Sequence, residues 1–502
     1  MNQPSPGPAQ DAANVGNAGK TGAAGTLNLS VPDEIGSRLS LTPMQTPASV
    51  EVINREQILK RGDTKVIDAV TRATGITAMG GPNNGGTALV SRGFAGNSSV
   101  AQLYDGTRID TMGLGSLSFP FDTWMAERIE VLRGPTSVLY GAGSIGGVVN
   151  VVTKKPNPRH FEHEAFASYG SDNKRQFAVG SGGPISDALA YRFDISSQMS
   201  DGWVERGDSE SLAVSGQVRF APTSDFSLLL TYDYARQEPM KYWGTPMING
   251  GIDKRMRFAN YNTEDASVVH HDKLARAKAE WRVADNIVLR NELYHVAYDR
   301  HWFAVEQFNW DNGRVRRTGF TDSRHWREQV GNRFDATITN SLFGMAMQTV
   351  VGADATRNNY ETLAFNRSGT SYVDPFNPVP GHSSLYTPNL NGAGQFSDMT
   401  QTGLFAENRI EITRDLSVVS GLRYDQYALD YENRANGLTN KNDFNYLSWR
   451  AGVVYDVLPG LALYGQYATG SDPESVMYSR DDERAGRWKS AQRLHSSTAA
   501  AS

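Results

Sequence analysis

Side chains that could carry out chemistry are sparse in this chain, and they form no catalytic pattern. Nine His residues and no Cys are present, so thiolate metal sites, disulfides and Cys nucleophiles are excluded. The sequence contains no Ser-His-Asp order, paired-carboxylate motif or zinc-binding spacing. We therefore predict no catalytic residues and expect that the protein is not an enzyme.

The adjacent pair His270-His271 is the feature most similar to a metal site. Neighbouring residues on an extended chain point to opposite faces, so these two imidazoles cannot bind one ion together. The pair falls in a predicted long loop, where we expect both side chains to be solvated. The sequence therefore predicts no metal ligands and no cofactor.

Composition and charge narrow the class of protein. The 502 residues carry a net charge of −5 that is spread along the chain, so nucleic acid is not an expected partner. Hydrophobic residues make up only 39%, while 49 Gly, 21 Tyr and 20 Phe indicate a β-rich protein. No run of about 18 apolar residues exists, which excludes a transmembrane helix but not transmembrane strands. A signal peptide is absent from the first residues, so an exported form would need a leader that this sequence lacks.

After Pro156, apolar and polar residues alternate with a period of two, which is typical of half-buried strands. The pattern predicts about 13 strands, with a short turn at every second connection and long loops in between. The longest predicted loops are residues 235–274, 298–331 and 357–402. A regular alternation of short turns and long loops is typical of an outer-membrane β-barrel. A large soluble β-sandwich or propeller with insertions is the alternative, but such a fold gives no reason for short and long connections to alternate.

The chain divides into four segments by pattern. Residues 1–37 are predicted to be a flexible extension, and residues 38–156 a small α/β module in which Asn54 and Gln57 make a capping box. Residues 160–470 form the alternating region, and residues 474–502 are polar and unpatterned.

Because bacterial barrels have an even strand count and a closed sheet, we expect a truncated chain with an aberrant tail, consistent with a frameshift. As written, we expect the product neither to insert nor to transport.

Several ordered motifs in the N-terminal module resemble those of a known family. Residues 127–135 read ERIEVLRGP, residues 137–141 read SVLYG and residues 146–154 read GGVVNVVTK. With Arg92-Gly93-Phe94 and Tyr104-Asp105-Gly106, they closely resemble the plug of TonB-dependent receptors of the siderophore-receptor type. The resemblance covers residues from about 38 to 470. It implies a mainly β fold, with an α/β plug inside an antiparallel transmembrane β-barrel of about 22 strands.

The resemblance also implies a function and a location. It implies a bacterial outer-membrane receptor that captures a ferric siderophore at its outer face, with the metal staying on its carrier. The implied partners are the siderophore, the TonB energy-transducing complex and outer-membrane lipid. Haem, cobalamin or a glycan is the alternative cargo, and a structural or adhesive barrel without transport is the alternative class. Thr387-Pro388-Asn389-Leu390 faintly resembles a motif of haem receptors, but no companion motif accompanies it.

Candidate ligand contacts follow from the same resemblance. It implies that two plug loops, residues 92–99 and 112–121, point outward, and the loops after the barrel strands add aromatic residues. The plug candidates are Arg92, Asn97, Ser98, Phe119 and Phe121, and the loop candidates are Tyr242, Trp243 and Trp302, with Phe303 and Trp310 beside them. As an alternative, Arg92 could form a structural ion pair, and each aromatic residue taken alone could belong to the girdle of aromatic residues at a membrane interface.

The segment pulled by the energy-transducing complex, the TonB box, is implied to lie just before the plug. The candidate residues are Leu27, Asn28, Leu29, Ser30 and Val31. A short strand-forming stretch of this kind suits strand addition to a partner's sheet. An ordinary linker is the alternative interpretation.

Overall fold

The computed structural model describes residues 32–79, 88–94, 100–109, 121–390, 392–458, 460–472 and 492–501. Most of these residues lie in strands, grouped into a small N-terminal sheet, a two-stranded ribbon and one large sheet. No helix in these ranges is long and apolar enough to cross a membrane. The chain is therefore mainly β, as the sequence predicted.

The N-terminal module is built on a five-stranded sheet in the order β1-β6-β7-β4-β5. Its strands are β1 (Ser49–Asn54), β4 (Val100–Tyr104), β5 (Thr107–Ile109), β6 (Ala126–Arg133) and β7 (Gly147–Thr153), with β2 (Ile76–Met79) and β3 (Ala88–Ser91) forming the separate ribbon. Three helices accompany them: α1 (Arg55–Arg61), α2 (Val66–Val70) and α3 (Ser137–Tyr140). The predicted capping box is present, because Asn54 Oδ1 accepts from the Gln57 amide at 2.9 Å and Gln57 Oε1 from the Asn54 amide at 3.1 Å.

A fifteen-stranded antiparallel sheet follows the module. Its strands are β8 (Glu162–Tyr169), β9 (Arg175–Ser186), β10 (Leu189–Ser200), β11 (Ser209–Phe220), β12 (Phe226–Glu238), β13 (Ser267–Ala284), β14 (Ile287–Asp311), β15 (Arg314–Leu342), β16 (Met345–Ala364), β17 (Ser371–Val373), β18 (Ala393–Glu411), β19 (Leu416–Asn433), β20 (Leu438–Leu458), β21 (Leu461–Asp472) and β22 (Gln492–Ala501). Every strand predicted by alternation overlaps one of them. The pattern missed β17, which pairs only with β15, and β22, which pairs with β21.

One predicted long loop is wrong, because residues 298–331 form the outer part of a hairpin. Strands β14 and β15 pair as far as Asp311 and Arg314, and the turn between them is Asn312-Gly313. Both turn residues have positive φ, 49° and 82°. This is the conformation that an Asn-Gly hairpin turn favours, so the dipeptide was the local signal for the hairpin.

The two faces of the large sheet differ in polarity. Its outer face exposes Leu230 (47%), Tyr232 (53%) and Trp281 (52%), together with many similar residues on the other strands. Its inner face buries charged side chains such as Arg276 and Glu292. Apolar residues therefore face outward, the reverse of a soluble sheet packed on its own hydrophobic core.

The N-terminal module lies within the curve of this sheet. Strands near both ends of the sheet contact it: Glu164 of β8 binds Arg55 at 2.7 Å, and the Ser471 amide of β21 donates to Ser137 Oγ at 3.1 Å. Intermediate strands also pack on the apolar core of the module through Ala213 and Leu274. Because one small module meets strands across the whole sheet, the sheet must curl around it.

Candidate functional site

The hairpin between β4 and β5 docks the module on the inner face of the sheet. Asp105 at its turn is bound by Arg276 and Lys155, both at 2.6 Å, and Arg276 also binds Asp233 at 2.8 Å. Burial alone would raise the pKa of Asp105, but Lys155, Arg276 and Lys278 hold that pKa well below its ordinary value. The carboxylate therefore stays ionised, and the ion pairs position the module against strands β12 and β13.

A wall of aromatic and imidazole rings lies on the inner face just beyond this docked hairpin. Along β13, Arg276 and Leu274 touch the module, and His270 lies farther toward the outer end. Trp302 of β14 packs edge-on against His325 of β15, with ring centroids 4.3 Å apart, and against His270 at 5.5 Å. We refer to His270, Trp302, His325 and Tyr360 as the inner wall.

Hydrogen bonds fix part of the inner wall and leave part of it unused. His325 is held at 2.7 Å by the Tyr360 hydroxyl and at 2.9 Å by Ser323 Oγ. In contrast, the indole N–H of Trp302 and both ring nitrogens of His270 are buried without a partner among the described residues. Buried polar groups are normally paired, so these atoms are open to a hydrogen bond from a water molecule or a ligand.

Two guanidinium groups lie beside the inner wall. Arg300 pairs with Asp272 at 2.8 Å and stacks over the Tyr298 ring at 4.7 Å. Arg327 lies over the same ring at 5.7 Å and donates to Asn358 Oδ1 at 3.0 Å. The inner face therefore places rings and cations together, with Arg300 and Arg327 both buried, and this combination is chemically suited to acidic or π-accepting groups.

Outer loops are packed onto the long β14-β15 hairpin above the inner wall. Arg317 is almost fully buried and donates to the carbonyl oxygens of Tyr261 at 3.1 Å and Pro380 at 2.6 Å. Asn262 exchanges two hydrogen bonds with the backbone of Val305, at 3.0 and 3.1 Å. Loops from distant parts of the chain thus form one ordered assembly at the outer end.

The structure places the predicted loop contacts in two different groups. Trp302 lies in the inner wall, whereas Tyr242 packs edge-on against Trp203 at 5.1 Å in the outer loops. Trp243 follows Tyr242 and is half-buried. These aromatic residues therefore do not form one continuous wall, and their contact with a ligand stays a prediction.

The plug candidates are described only in part. Arg92 is exposed in the turn between Ser91 and Phe94, and Phe121 is buried, packing edge-on against Tyr104 at 5.1 Å. Asn97, Ser98 and Phe119, and the predicted box Leu27, Asn28, Leu29, Ser30 and Val31, lie outside the described residues. A ligand role for all of the plug candidates stays a prediction.

The expectation that His270 and His271 are solvated loop residues is wrong. Both lie in β13, and His270 is fully buried on the inner face. His271 is on the outer face, 3.0 Å from the Tyr234 hydroxyl. The two imidazoles do point to opposite faces, as expected for neighbours on an extended chain. Within the described residues, no group of three or more His, Asp or Glu side chains could hold a metal ion.

The sequence analysis did not identify four residues of this site, because they lie in segments that were predicted to be loops. They are Arg300, His325, Arg327 and Tyr360. The signal available was the continuation of alternation through residues 298–330, where Tyr298, Arg300 and Trp302 occupy one face. That signal assigns residues to a face, but it does not say which residues meet across strands.

Known proteins resemble the chain over nearly all of its length. The family described as TonB-dependent Receptor Plug Domain matches residues 42–148. The family described as TonB dependent receptor-like, beta-barrel, matches residues 198–485, which is more than half of the chain.

Curated relatives show a more distant similarity. The Ferrioxamine B receptor of Salmonella typhimurium is 26% identical over 486 residues, which cover 90% of this chain and 65% of the relative. The Ferrichrome outer membrane transporter/phage receptor of Escherichia coli is 23% identical over 468 residues, which cover 86% and 62%. The chain therefore spans less than two thirds of the length of these relatives.

Solved structures share the fold. The siderophore receptor PiuA from Acinetobacter baumannii superposes with a TM-score of 0.82 at 18% identity, covering 95% of this chain and 73% of that one. The closed form of the ferric-catecholate import receptor Fiu from Escherichia coli gives 0.81 at 20% identity, covering 95% and 74%. At these identities the similarity establishes the architecture of a plug within a curved antiparallel sheet.

Proposed function

The chain belongs to the TonB-dependent receptors, and on that premise we propose that it is an outer-membrane receptor for the import of a ferric siderophore. The observation that carries the proposal is the inner wall, where Trp302 and His270 are buried with unused polar atoms just beyond the docked plug. Relatives named as ferrioxamine and ferrichrome receptors support the same class of cargo.

The chemistry of the inner wall suits a ferric chelate. Such a chelate is large, rigid and often anionic, and most of its donor atoms are occupied by iron. Aromatic rings give it contact area at little entropic cost, and Arg300 and Arg327 supply positive charge nearby. The iron stays on its carrier, so the receptor needs no metal ligands of its own.

The outer surface supports a membrane location. Exposed apolar residues recur on successive strands, as Leu230, Leu293, Val330 and Leu404 illustrate. A band of this kind on the outside of a curved sheet is suited to lipid, and the polar inner face is suited to a lumen that the plug fills. The proposed site is the bacterial outer membrane, and the proposed energy source is the TonB complex acting on Leu27 to Val31.

Two alternative functions differ from this proposal in the ligand that the protein would bind. A receptor for haem, cobalamin or a glycan would share the fold but bind a different cargo, and a structural barrel would bind none. The relatives named as ferrioxamine and ferrichrome receptors favour a binding role over a purely structural one.

A ligand panel tests the proposal. Detergent-solubilised protein is titrated with ferric hydroxamate, ferric catecholate and ferric pyoverdine-type siderophores, and with haem and cobalamin. We expect one ferric siderophore to bind, and Trp302→Ala to weaken that binding by about 10-fold or more because a buried aromatic anchor is lost. Trp281→Ala, on the outer face of β13, is the matched control and should bind normally. Binding of haem or cobalamin and of no siderophore would contradict the proposal.

A further inference from the structure

One buried amide side chain joins two parts of the plug that lie on different elements. Asn150 is fully buried at the middle of β7, directly opposite Glu130 of β6 and beside Leu103 of β4. Its Oδ1 accepts from the amide of Gly106, in the turn of the β4-β5 hairpin, at 2.9 Å. Its Nδ2 donates to Glu130 Oε2 at 3.0 Å. Asn150 therefore holds the hairpin turn and a buried carboxylate at the same time.

Glu130 carries the connection on to the N-terminal segment. Its carboxylate accepts from the amide of Glu34, at 3.1 Å to Oε2 and 3.3 Å to Oε1, and Arg128 binds it at 2.8 Å. Glu34 follows shortly after the predicted TonB box. A continuous chain of hydrogen bonds thus runs from this segment through Glu130 and Asn150 to the hairpin turn.

Ile35 closes this chain of hydrogen bonds off from water. It is fully buried in an apolar cluster that also contains Leu132 and Val148. Those two residues lie two positions from Glu130 and Asn150 along β6 and β7, so all four share one face of the plug sheet. Hydrogen bonds to a carboxylate are stronger where water is excluded. Seating of Ile35 therefore strengthens the bonds that Asn150 and Glu130 make.

The hairpin at the other end is fixed to the large sheet. Arg276 binds Asp105 at 2.6 Å, and Arg333 donates to the Gly106 carbonyl oxygen at 3.3 Å. Gly106 is thus held by the large sheet through its carbonyl oxygen and by the plug through its amide. Because the two contacts fix one peptide turn, loss of the bond to Asn150 should weaken docking of the hairpin on the sheet.

The two partners of Asn150 require an amide at this position. A carboxamide accepts from a backbone N–H and donates to a carboxylate at the same time. An ionised Asp would place two carboxylates in contact, and a Leu would remove a partner from both the Gly106 amide and Glu130. Substitution by either residue should therefore cut the connection while nearly preserving the volume of the side chain.

We propose that Asn150 is a positioning residue that couples the seating of residues 34–36 to the docking of the β4-β5 hairpin on the large sheet. When the N-terminal segment leaves, water reaches Glu130 and Asn150, the bond to Gly106 weakens and the hairpin loosens. By thermodynamic reciprocity, a change that fixes the hairpin also favours the seated segment. The coupling is carried by contacts within the chain, so it is independent of which ligand the protein takes.

Hydrogen exchange of the purified chain in detergent micelles, without siderophore, tests the inference. Ile35→Ala opens the apolar cover, and we expect it to speed exchange in the hairpin, residues 100–109, by about 10-fold. In an Asn150→Leu background the connection is already cut, so the same change should alter hairpin exchange by less than about 2-fold. Asn150→Asp should likewise abolish the acceleration.

Thr153→Val is the matched control. Thr153 also lies on β7 and donates to the hairpin at Asp105 Oδ2, at 2.8 Å, but it is on the opposite face of the strand from Asn150. We expect Thr153→Val to loosen the hairpin by itself, while Ile35→Ala still adds its full effect. Slow exchange in β9 to β13 checks that the large sheet stays folded in every variant.

Two outcomes would overturn the inference. The first is an Ile35→Ala effect on the hairpin that has the same size in the parent chain and in the Asn150→Leu background. The second is an unchanged hairpin in the parent chain carrying Ile35→Ala. Because no siderophore is present in these measurements, either outcome is distinct from failure of the proposed function.

Discussion

Asp33 is a buried carboxyl at the start of the described chain, directly after the predicted TonB box. Its Oδ1 accepts from the amides of Ile35 at 3.2 Å and Gly36 at 2.6 Å, while its buried Oδ2 has no partner among the described residues. Burial, and then the nearby carboxylate of Glu130, raise the pKa of Asp33 to about 8. Burial raises the pKa of Glu130 as well, although Arg128, bound to it at 2.8 Å, acts in the opposite direction.

This raised pKa predicts that the segment around Asp33 loosens as pH rises. The unfolded carboxyl titrates at 3.8 and the folded one at about 8. Stability contributed by the proton is therefore complete below pH 4 and is lost as pH rises to about 8, by up to about 1.4 kcal/mol per pH unit. Hydrogen exchange at the Ile35 and Gly36 amides, corrected for intrinsic rates, measures this loss.

Asp33→Asn is the informative variant, because asparagine keeps the accepting oxygen and cannot ionise. We expect its amides to have the same protection at pH 5 and pH 8, whereas protection in the parent protein falls. An unchanged pH dependence in Asp33→Asn would show that another group is responsible.

At the scale of elements, the hairpin Tyr104 to Thr107 is the main polar contact between the plug and strands β12 to β15. Arg276 is the centre of that contact, since it pairs with Asp105 and Asp233 and also donates to the Tyr104 carbonyl at 3.0 Å. Thr107 bonds Glu292, which in turn pairs with Arg333. Both sides of the hairpin are therefore held by buried ionic groups.

Replacing Arg276 should loosen this hairpin strongly. Arg276→Met leaves two carboxylates in a buried site without their shared cation, and breaking a buried pair in this way typically costs about 3–5 kcal/mol. We expect faster proteolysis and hydrogen exchange in β4 and β5, with the large sheet intact. Arg357→Met is the control: its pair with Asp398 is exposed on the outer face, and its loss should change little. Equal protection of β4 and β5 in the two variants would contradict the assignment.

At the scale of the whole molecule, residues 33–41 connect the predicted box to both the plug and the sheet. Ile35 is fully buried in an apolar cluster of the plug, Ser37 Oγ donates to Glu407 of β18 at 2.7 Å, and Arg450 of β20 donates to the Gly36 carbonyl at 2.9 Å. Force applied at residue 31 would therefore act first on contacts that join plug and barrel.

Deleting Leu27 to Val31 should separate binding from transport. The deletion is made in a receptor extended to the length of its relatives, so that the parent can insert and transport. We expect ferric siderophore to bind normally to cells that carry it, while energy-dependent uptake of the labelled chelate is abolished, because the pulled segment is missing. A five-residue deletion at residues 10–14 is the matched control and should leave uptake unchanged. Normal uptake after deletion of Leu27 to Val31 would refute the assignment of the box, which stays a prediction.

The sequence by itself determined the class of the molecule. Alternation along residues 189–198 and the similar segments defined strands with one apolar face, because neighbouring side chains on a strand point to opposite sides. The helix cap at Asn54 and the turn at Asp105-Gly106 could also be predicted from the sequence, because each depends on only a few adjacent residues. The order of motifs from residue 127 to 154 then identified the family, which the family matches confirm.

Only the tertiary structure decided which residues meet. Trp302, His325 and Tyr360 form one wall because β14, β15 and β16 pair in a particular register, and the same registers place Lys273 beside Ala297 on the other face. Register depends on pairing between segments far apart in the chain, so it cannot be obtained from the period of any single strand. For the same reason the sequence assigned His270 to solvent, whereas the packed sheet buries it beside Trp302.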